Sequence, residues 1–248
     1  MKRENVTHLL ATDLDGTLVG EKELTSLLFD YYKERPYNVQ LVYVTGRHYA
    51  STMELIKEEE LPMPSILISD VGTEMYDLND PELHERWKKT LEEKWNPAEI
   101  SRIVQSCSGL TPQSIPSVHR LSYFAESDEA VEEVKQKLSG SSVPHKLIFS
   151  SGRDVDILPP NAGKGEALSF LLREKGWEKA NVLVAGDSGN DRDMITLGYP
   201  AVVVGNCQKE LKQLPDHPMI FRAQKHCAGG IHEAWEHFFE KTPVKNSI

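Results

Sequence analysis

Cysteine is scarce in this chain: Cys107, Cys207 and Cys227 are the only three in 248 residues, and they lie far apart. An odd, scattered set offers no disulfide framework, which points to a reducing, cytoplasmic setting. Long apolar runs are also missing. Nothing approaches the roughly 18 residues of a membrane-spanning helix, and the opening Met1-Lys2-Arg3-Glu4-Asn5 lacks the apolar stretch of a secretory signal. Basic charge is in deficit: 28 Lys and Arg stand against 38 Asp and Glu, for a net charge of −10. That balance argues against nucleic acid as a partner. It leaves room for an anionic substrate, provided a metal and a few cations concentrate positive potential locally. The nine histidines show no metal-ligand spacing, and neither repeats nor low-complexity segments occur.

What is present is alternation. Short apolar runs at 6–12, 39–44, 66–69, 182–186 and 201–204 read as buried strands. Helical patterns at 23–34, 48–60 and 164–175 separate them, as in an α/β fold with a doubly wound, mostly parallel, Rossmann-like sheet. A final helix over 228–240 turns Ile231, Ala234, Trp235 and Phe238 inward. Between 77 and 158 the pattern changes. A helix opens at Asn96-Pro97, and a proline-rich turn surrounds Pro112 and Pro116. Further on come an alternating strand at 120–125, a helix at 128–138, and strands at 146–150 and 154–158. Strands joined by tight turns predict an inserted α+β cap over 77–158, inside a core made of 1–76 and 159–248. Trp87 and Trp95 read as packing residues of that cap.

Four motifs stand at predicted strand ends or helix starts, the edge where open α/β sheets place ligands. Asp13-Leu14-Asp15-Gly16-Thr17 sets two carboxylates two residues apart, one able to attack an electrophile and one able to pass a proton. Alone it also suits a polar turn. Val44-Thr45-Gly46-Arg47 offers a hydroxyl and backbone amides at a helix start, a small anion pocket or a simple cap. Lys164 opens a helix, where the dipole disfavours a cation and so suggests an anionic neighbour. Gly186-Asp187-Ser188-Gly189-Asn190-Asp191 clusters oxygen-bearing side chains on a glycine-rich turn, a donor set for a hard cation. The carboxylate pair demands a cation, and this turn could supply its site.

Together and in this order, the motifs resemble the haloacid-dehalogenase-like superfamily of aspartate-dependent phosphatases. Thr111–Ser114, Arg120–Tyr123, the stretch 149–159 and the tail 221–231 look like the cap and closing segment of sucrose-phosphate phosphatases. Mannosylfructose-phosphate phosphatases share much of this pattern. The resemblance implies Asp13 as nucleophile, forming an aspartyl-phosphate, and Asp15 as acid and then base. It implies Mg²⁺ held by Asp13, the Asp15 carbonyl and Asp187, with Asn190 and Asp191 in or near the shell. Thr45, Gly46 and Lys164 would hold the phosphoryl group. Gln113, Arg120, Ser122, Tyr123, Arg153, Asp154 and Asp156 would meet the sugar, although Arg120 and Arg153 stand where lysines are expected in the sucrose-phosphate enzymes. The partner implied is a small sugar phosphate, with association to a sugar-phosphate synthase compatible with catalysis, in a monomer or weak dimer. A phosphomutase is the alternative that keeps the same chemistry.

Overall fold

The computed structural model describes residues 6–240. In the first part of the core, strands β1 (His8–Thr12), β2 (Val39–Val44), β3 (Ile66–Ser69) and β4 (Glu74–Asp77) are joined by helices α1 (Lys22–Lys33) and α2 (Tyr49–Glu58), and α3 (Glu82–Glu92) follows. Then come α4 (Pro97–Val104), β5 (Leu110–Pro112), β6 (Leu121–Ala125), α5 (Asp128–Ser139), β7 (Lys146–Ser150) and β8 (Asp154–Leu158). The chain returns to the core with α6 (Lys164–Lys175), β9 (Asn181–Gly186), α7 (Arg192–Ile195), β10 (Ala201–Val203), α8 (Lys209–Lys212), β11 (Ile220–Arg222) and α9 (Cys227–Trp235).

The core sheet has the order β11-β10-β9-β1-β2-β3-β4, parallel throughout except for β4, which runs antiparallel to β3. Its central strands are apolar on both faces because helices cover both. Leu9 and Ala11 of β1 join Val42, Val44, Val182 and Val184 on one side. Leu10 joins Tyr43, Leu183 and Ala185 on the other, under α1 and α9. The two-residue period of a strand produces this division. The registers Thr12↔Tyr43 and Thr12↔Ala185 bring the ends of β2 and β9 beside that of β1, so the motifs that follow them share one edge.

The cap sheet, β5-β6-β8-β7, is antiparallel. Its own cluster gathers Ile100, Val104, Val131, Val134, Leu138, Val155 and Ile157, with Trp95 packed at the margin. Two expectations change. The segment at Pro112, expected as a turn, ends the edge strand β5, where a missing N–H costs no ladder bond. Trp87, expected in the cap, packs in the core with Leu83 and Leu91. Its indole N–H donates to the Gly72 carbonyl at 3.1 Å, and its ring lies 5.0 Å from that of Phe170. The physical reason is β4, which carries the chain back along the sheet edge and delivers α3 onto α6's side of the core. Trp87→Ala should therefore cost about 3–5 kcal/mol of stability, read by urea denaturation. A change confined to cap mobility would contradict this placement.

Candidate active site

Asp13 leaves β1 buried, its N–H still bonded to the Ala185 carbonyl of β9 at 3.0 Å. Lys164 begins α6 with no exposed surface, and its ammonium reaches Asp13 Oδ1 and Asp191 Oδ1, each at 2.7 Å. Asp191 is fully engaged: its Oδ2 accepts the N–H groups of Asp187 and Ser188 at 3.0 Å each. This fold-back requires Gly186, because a Cβ there would overlap Asp191. Thr17 donates to Asp187 Oδ1 at 3.2 Å and reaches Asp13 Oδ2 at 3.4 Å.

One oxygen from each of Asp13, Asp187 and Asp191 lies within 4.8 Å of the others. Three carboxylates face one ammonium, so with all three ionised the centre would hold two uncompensated negative charges out of water. Burial pushes the Asp13 carboxyl up to about 7, against the opposing pull of Lys164 and with added push from Asp191. Burial and then the Asp13 charge push Asp187 up to about 8. Burial alone would lower the Lys164 pKa, yet Asp13 and Asp191 hold it above its ordinary value. An all-oxygen donor set with a deficit of two positive charges fits a hard divalent cation.

Asp15 turns outward. Arg47 Nε and Nη2 donate to its two carboxylate oxygens at 2.6 and 2.8 Å, and Arg47 Nη1 donates to Ser51 at 3.0 Å. The Asp15 carboxylate thus stands outside the group formed by Asp13, Asp187 and Asp191. Thr45 is buried beyond β2; its hydroxyl oxygen accepts the Arg47 N–H at 3.1 Å. A cleft of about 260 Å³ joins Asp13, Asp15, Gly46, Arg47, Asp187, Ser188 and Asn190 of the core to Gln113, Arg120, Ser150, Ser151, Asp154 and Asp156 of the cap.

The expected cap residues divide by geometry. Asp154 and Asp156 share one face of β8; Gln113 donates to Asp154 at 3.2 Å, and Ser122 donates to Asp156. Tyr123 is not among them. It alternates with Ser122 on β6, pairs with Val155, and is buried in the cap's own apolar cluster. Arg153 lies on the exposed turn before β8, stacked 4.1 Å from the Phe124 ring and outside the cleft lining. Arg120 lines the cleft but spans both units, as described below. Sequence reading missed Arg47, Ser150, Ser151 and Ser188 as cleft residues. The Thr45-Gly46-Arg47 motif carried a signal for Arg47, the acidic turn one for Ser188, and the 149–159 stretch one for Ser150 and Ser151.

A doubly wound sheet with an inserted cap, an aspartate pair after its first strand, and a buried lysine beside an acidic turn define a protein of the haloacid-dehalogenase-like class. The family model of sucrose-6F-phosphate phosphohydrolase matches residues 6–239, and the chain belongs to that family. It is 34% identical to sucrose-phosphatase 1 of Nicotiana tabacum over 93% of this chain and 59% of that one. It is 32% identical to the mannosylfructose-phosphate phosphatase of Agrobacterium fabrum over 93% of this chain and 96% of that one. The solved structure of a Synechocystis sucrose-phosphatase in complex with sucrose and phosphate superposes with a TM-score of 0.88 at 34% identity, covering 94% of this chain and 98% of that one. The chain thus spans 59% of the length of the tobacco relative it matches.

Proposed function

We propose that this chain is a Mg²⁺-dependent phosphatase of sugar phosphates, with a disaccharide phosphate such as sucrose-6-phosphate favoured. The observation that carries the reading is the single cleft in which Lys164-bound Asp13 faces the polar cap residues Gln113, Asp154 and Asp156. Asp13 and Asp187 would hold the metal, with the Asp15 carbonyl and Asn190 beside them and Asp191 behind, fixing Lys164. Bound there, Mg²⁺ would offset the buried negative charge and favour ionised Asp13.

Asp13 attacks phosphorus; the bond to the sugar oxygen breaks as an aspartyl-phosphate forms, and Asp15 gives that oxygen a proton. Water then attacks the same phosphorus, Asp15 takes its proton, and the Asp13 carboxylate is released with free phosphate. Lys164, the Thr45 hydroxyl and the Gly46 backbone hold the phosphoryl oxygens as charge shifts across them. Arg47 would aim the Asp15 carboxylate through its two hydrogen bonds. Closure of the cap excludes bulk water from the first step. Free thiols at Cys107, Cys207 and Cys227 support a cytoplasmic setting. Among the described residues, no helix is long and apolar enough to cross a membrane.

Phosphate release from sucrose-6-phosphate, mannosylfructose-phosphate and simple sugar phosphates, with and without EDTA, tests the reading. Undiminished turnover in EDTA would refute the metal requirement, and an isomeric sugar phosphate in place of free phosphate would indicate a mutase. Stability offers a second check. Because the Asp13 and Asp187 carboxyls sit above their ordinary range, the folded metal-free protein holds more protons than the unfolded chain between about pH 4 and 8. Their contribution is present in acid and is lost as pH rises through about 7 to 8. Mg²⁺ should therefore raise the melting temperature more at about pH 8 than at about pH 5.

A further inference from the structure

Arg120 leaves the cap and ends in the core. Its Nε donates to Asp156 of β8 at 2.8 Å, while Nη1 donates to Asp70 Oδ1 at 2.8 Å and to the Gly46 carbonyl at 2.7 Å. Both carboxylates are almost wholly buried, and the guanidinium side chain is 10% exposed. Asp70 does not line the cleft. It lies in a turn where Asp70 and Val71 hold φ of 54° and 57°, left-handed values that cost a non-glycine residue strain, most of all a β-branched one. That turn touches both phosphate-binding segments. Asp70 N–H donates to the Arg47 carbonyl at 2.7 Å and Val71 N–H to the Thr45 carbonyl at 3.1 Å. Gly72 lies so close to Gly163 and Lys164 that a Cβ would overlap them. A second cap cation repeats the arrangement outside the cleft lining: Lys146 donates to Asp193 at 2.7 Å and to the Ala162 carbonyl at 2.9 Å, two residues before Lys164.

We propose that Arg120 is a positioning residue that latches the cap shut over the phosphate site, with Asp70 as its receptor on the core. Each latch cation grips a core carboxylate and a carbonyl at or within two residues of a phosphate-binding residue, so closure is registered where the phosphoryl group sits. Arg120 dominates because it is nearly out of water; Lys146, with 24% of its side chain exposed, is the weaker partner. Arg suits the role better than Lys, because its planar fork serves three acceptors in two directions. This inference rests on the sugar-phosphatase reading for its kinetic consequence but not for the latch itself.

Asp70→Asn tests it without touching the cleft, and asparagine tolerates the left-handed backbone. The variant should lower kcat/KM for the preferred sugar phosphate roughly tenfold or more, by loosening the closed state. Hydrolysis of p-nitrophenyl phosphate, which has no sugar for the cap residues to hold, should stay within about threefold. Amide exchange in 45–48 and 120–123 should accelerate, and Asp70→Asn should add nothing to Arg120→Gln in the double variant. Wild-type kinetics and protection in Asp70→Asn would overturn the latch, as would equal losses on both substrates. If the wild type turns over only the aryl ester, the sugar reading fails. The exchange comparison then still judges the latch, which unchanged protection at 120–123 refutes.

Discussion

Asp13→Asn is expected to lower kcat by roughly 10⁴- to 10⁶-fold, the scale on which losing a covalent nucleophile registers. The substitution is nearly isosteric, so the loss would be chemical. Asparagine keeps the shape and the buried position but cannot form the aspartyl-phosphate, and it replaces one of the three carboxylates grouped for a cation by a neutral amide. The fold should survive, because a buried carboxyl already pushed up to about 7 is replaced by a neutral group. Lys164 still keeps Asp191 as its partner. Two measurements check this: phosphate release under saturating substrate, and mass spectrometry of acid-quenched wild type for a phosphorylated Asp13. Activity above a thousandth of wild type would remove Asp13 from the nucleophilic role.

Lys164→Met carries the second large effect, on stability as well as rate. The lysine has no exposed surface and is the ammonium shared by Asp13 and Asp191. Removing it leaves three buried carboxylates unopposed, a loss of about 3–5 kcal/mol by comparison with other buried pairs. Urea denaturation of the metal-free variant should show the deficit growing as pH rises through about 7 to 8 and shrinking in acid, where protonation discharges the Asp13 and Asp187 carboxyls. Mg²⁺ should recover part of it. The rate should fall about 10²- to 10³-fold through the lost stabilisation of the phosphoryl oxygens. A variant as stable as the wild type above about pH 8 without metal would show that the charge balance of this centre has been misjudged.

Much of this was legible before any coordinates. Strand and helix bounds at 146–150, 154–158 and 164–175 coincide with β7, β8 and α6, because apolar period and turn residues are local signals. The four motifs fall where expected, at the ends of β1, β2 and β9 and the start of α6, since a buried parallel strand must end in the loop that carries polar groups. Cap residues fared unevenly. Alternation separates Ser122 from Tyr123, but which face looks onto the cleft depends on where α4 and α5 pack, and they take the Tyr123 side. Arg153 follows Ser151 and Gly152, both at positive φ, and this turn swings it over Phe124. Trp87 was misassigned because the antiparallel return of β4 leaves only a four-residue trace.

By itself the sequence determined the family: a carboxylate pair, a hydroxyl, a lysine and an acidic turn, each compact enough to be recognised within a few neighbouring residues. Tertiary structure alone decided how those pieces balance. The two-charge deficit exists only because Asp13 and Lys164, 151 positions apart, share one dry pocket with Asp187 and Asp191. The same holds for Arg120, which sequence places among sugar contacts and the fold joins to Gly46, 74 residues away, and to Asp70. Chemistry carried by adjacent residues is written in their order, whereas charge balance and domain closure depend on distances that folding sets.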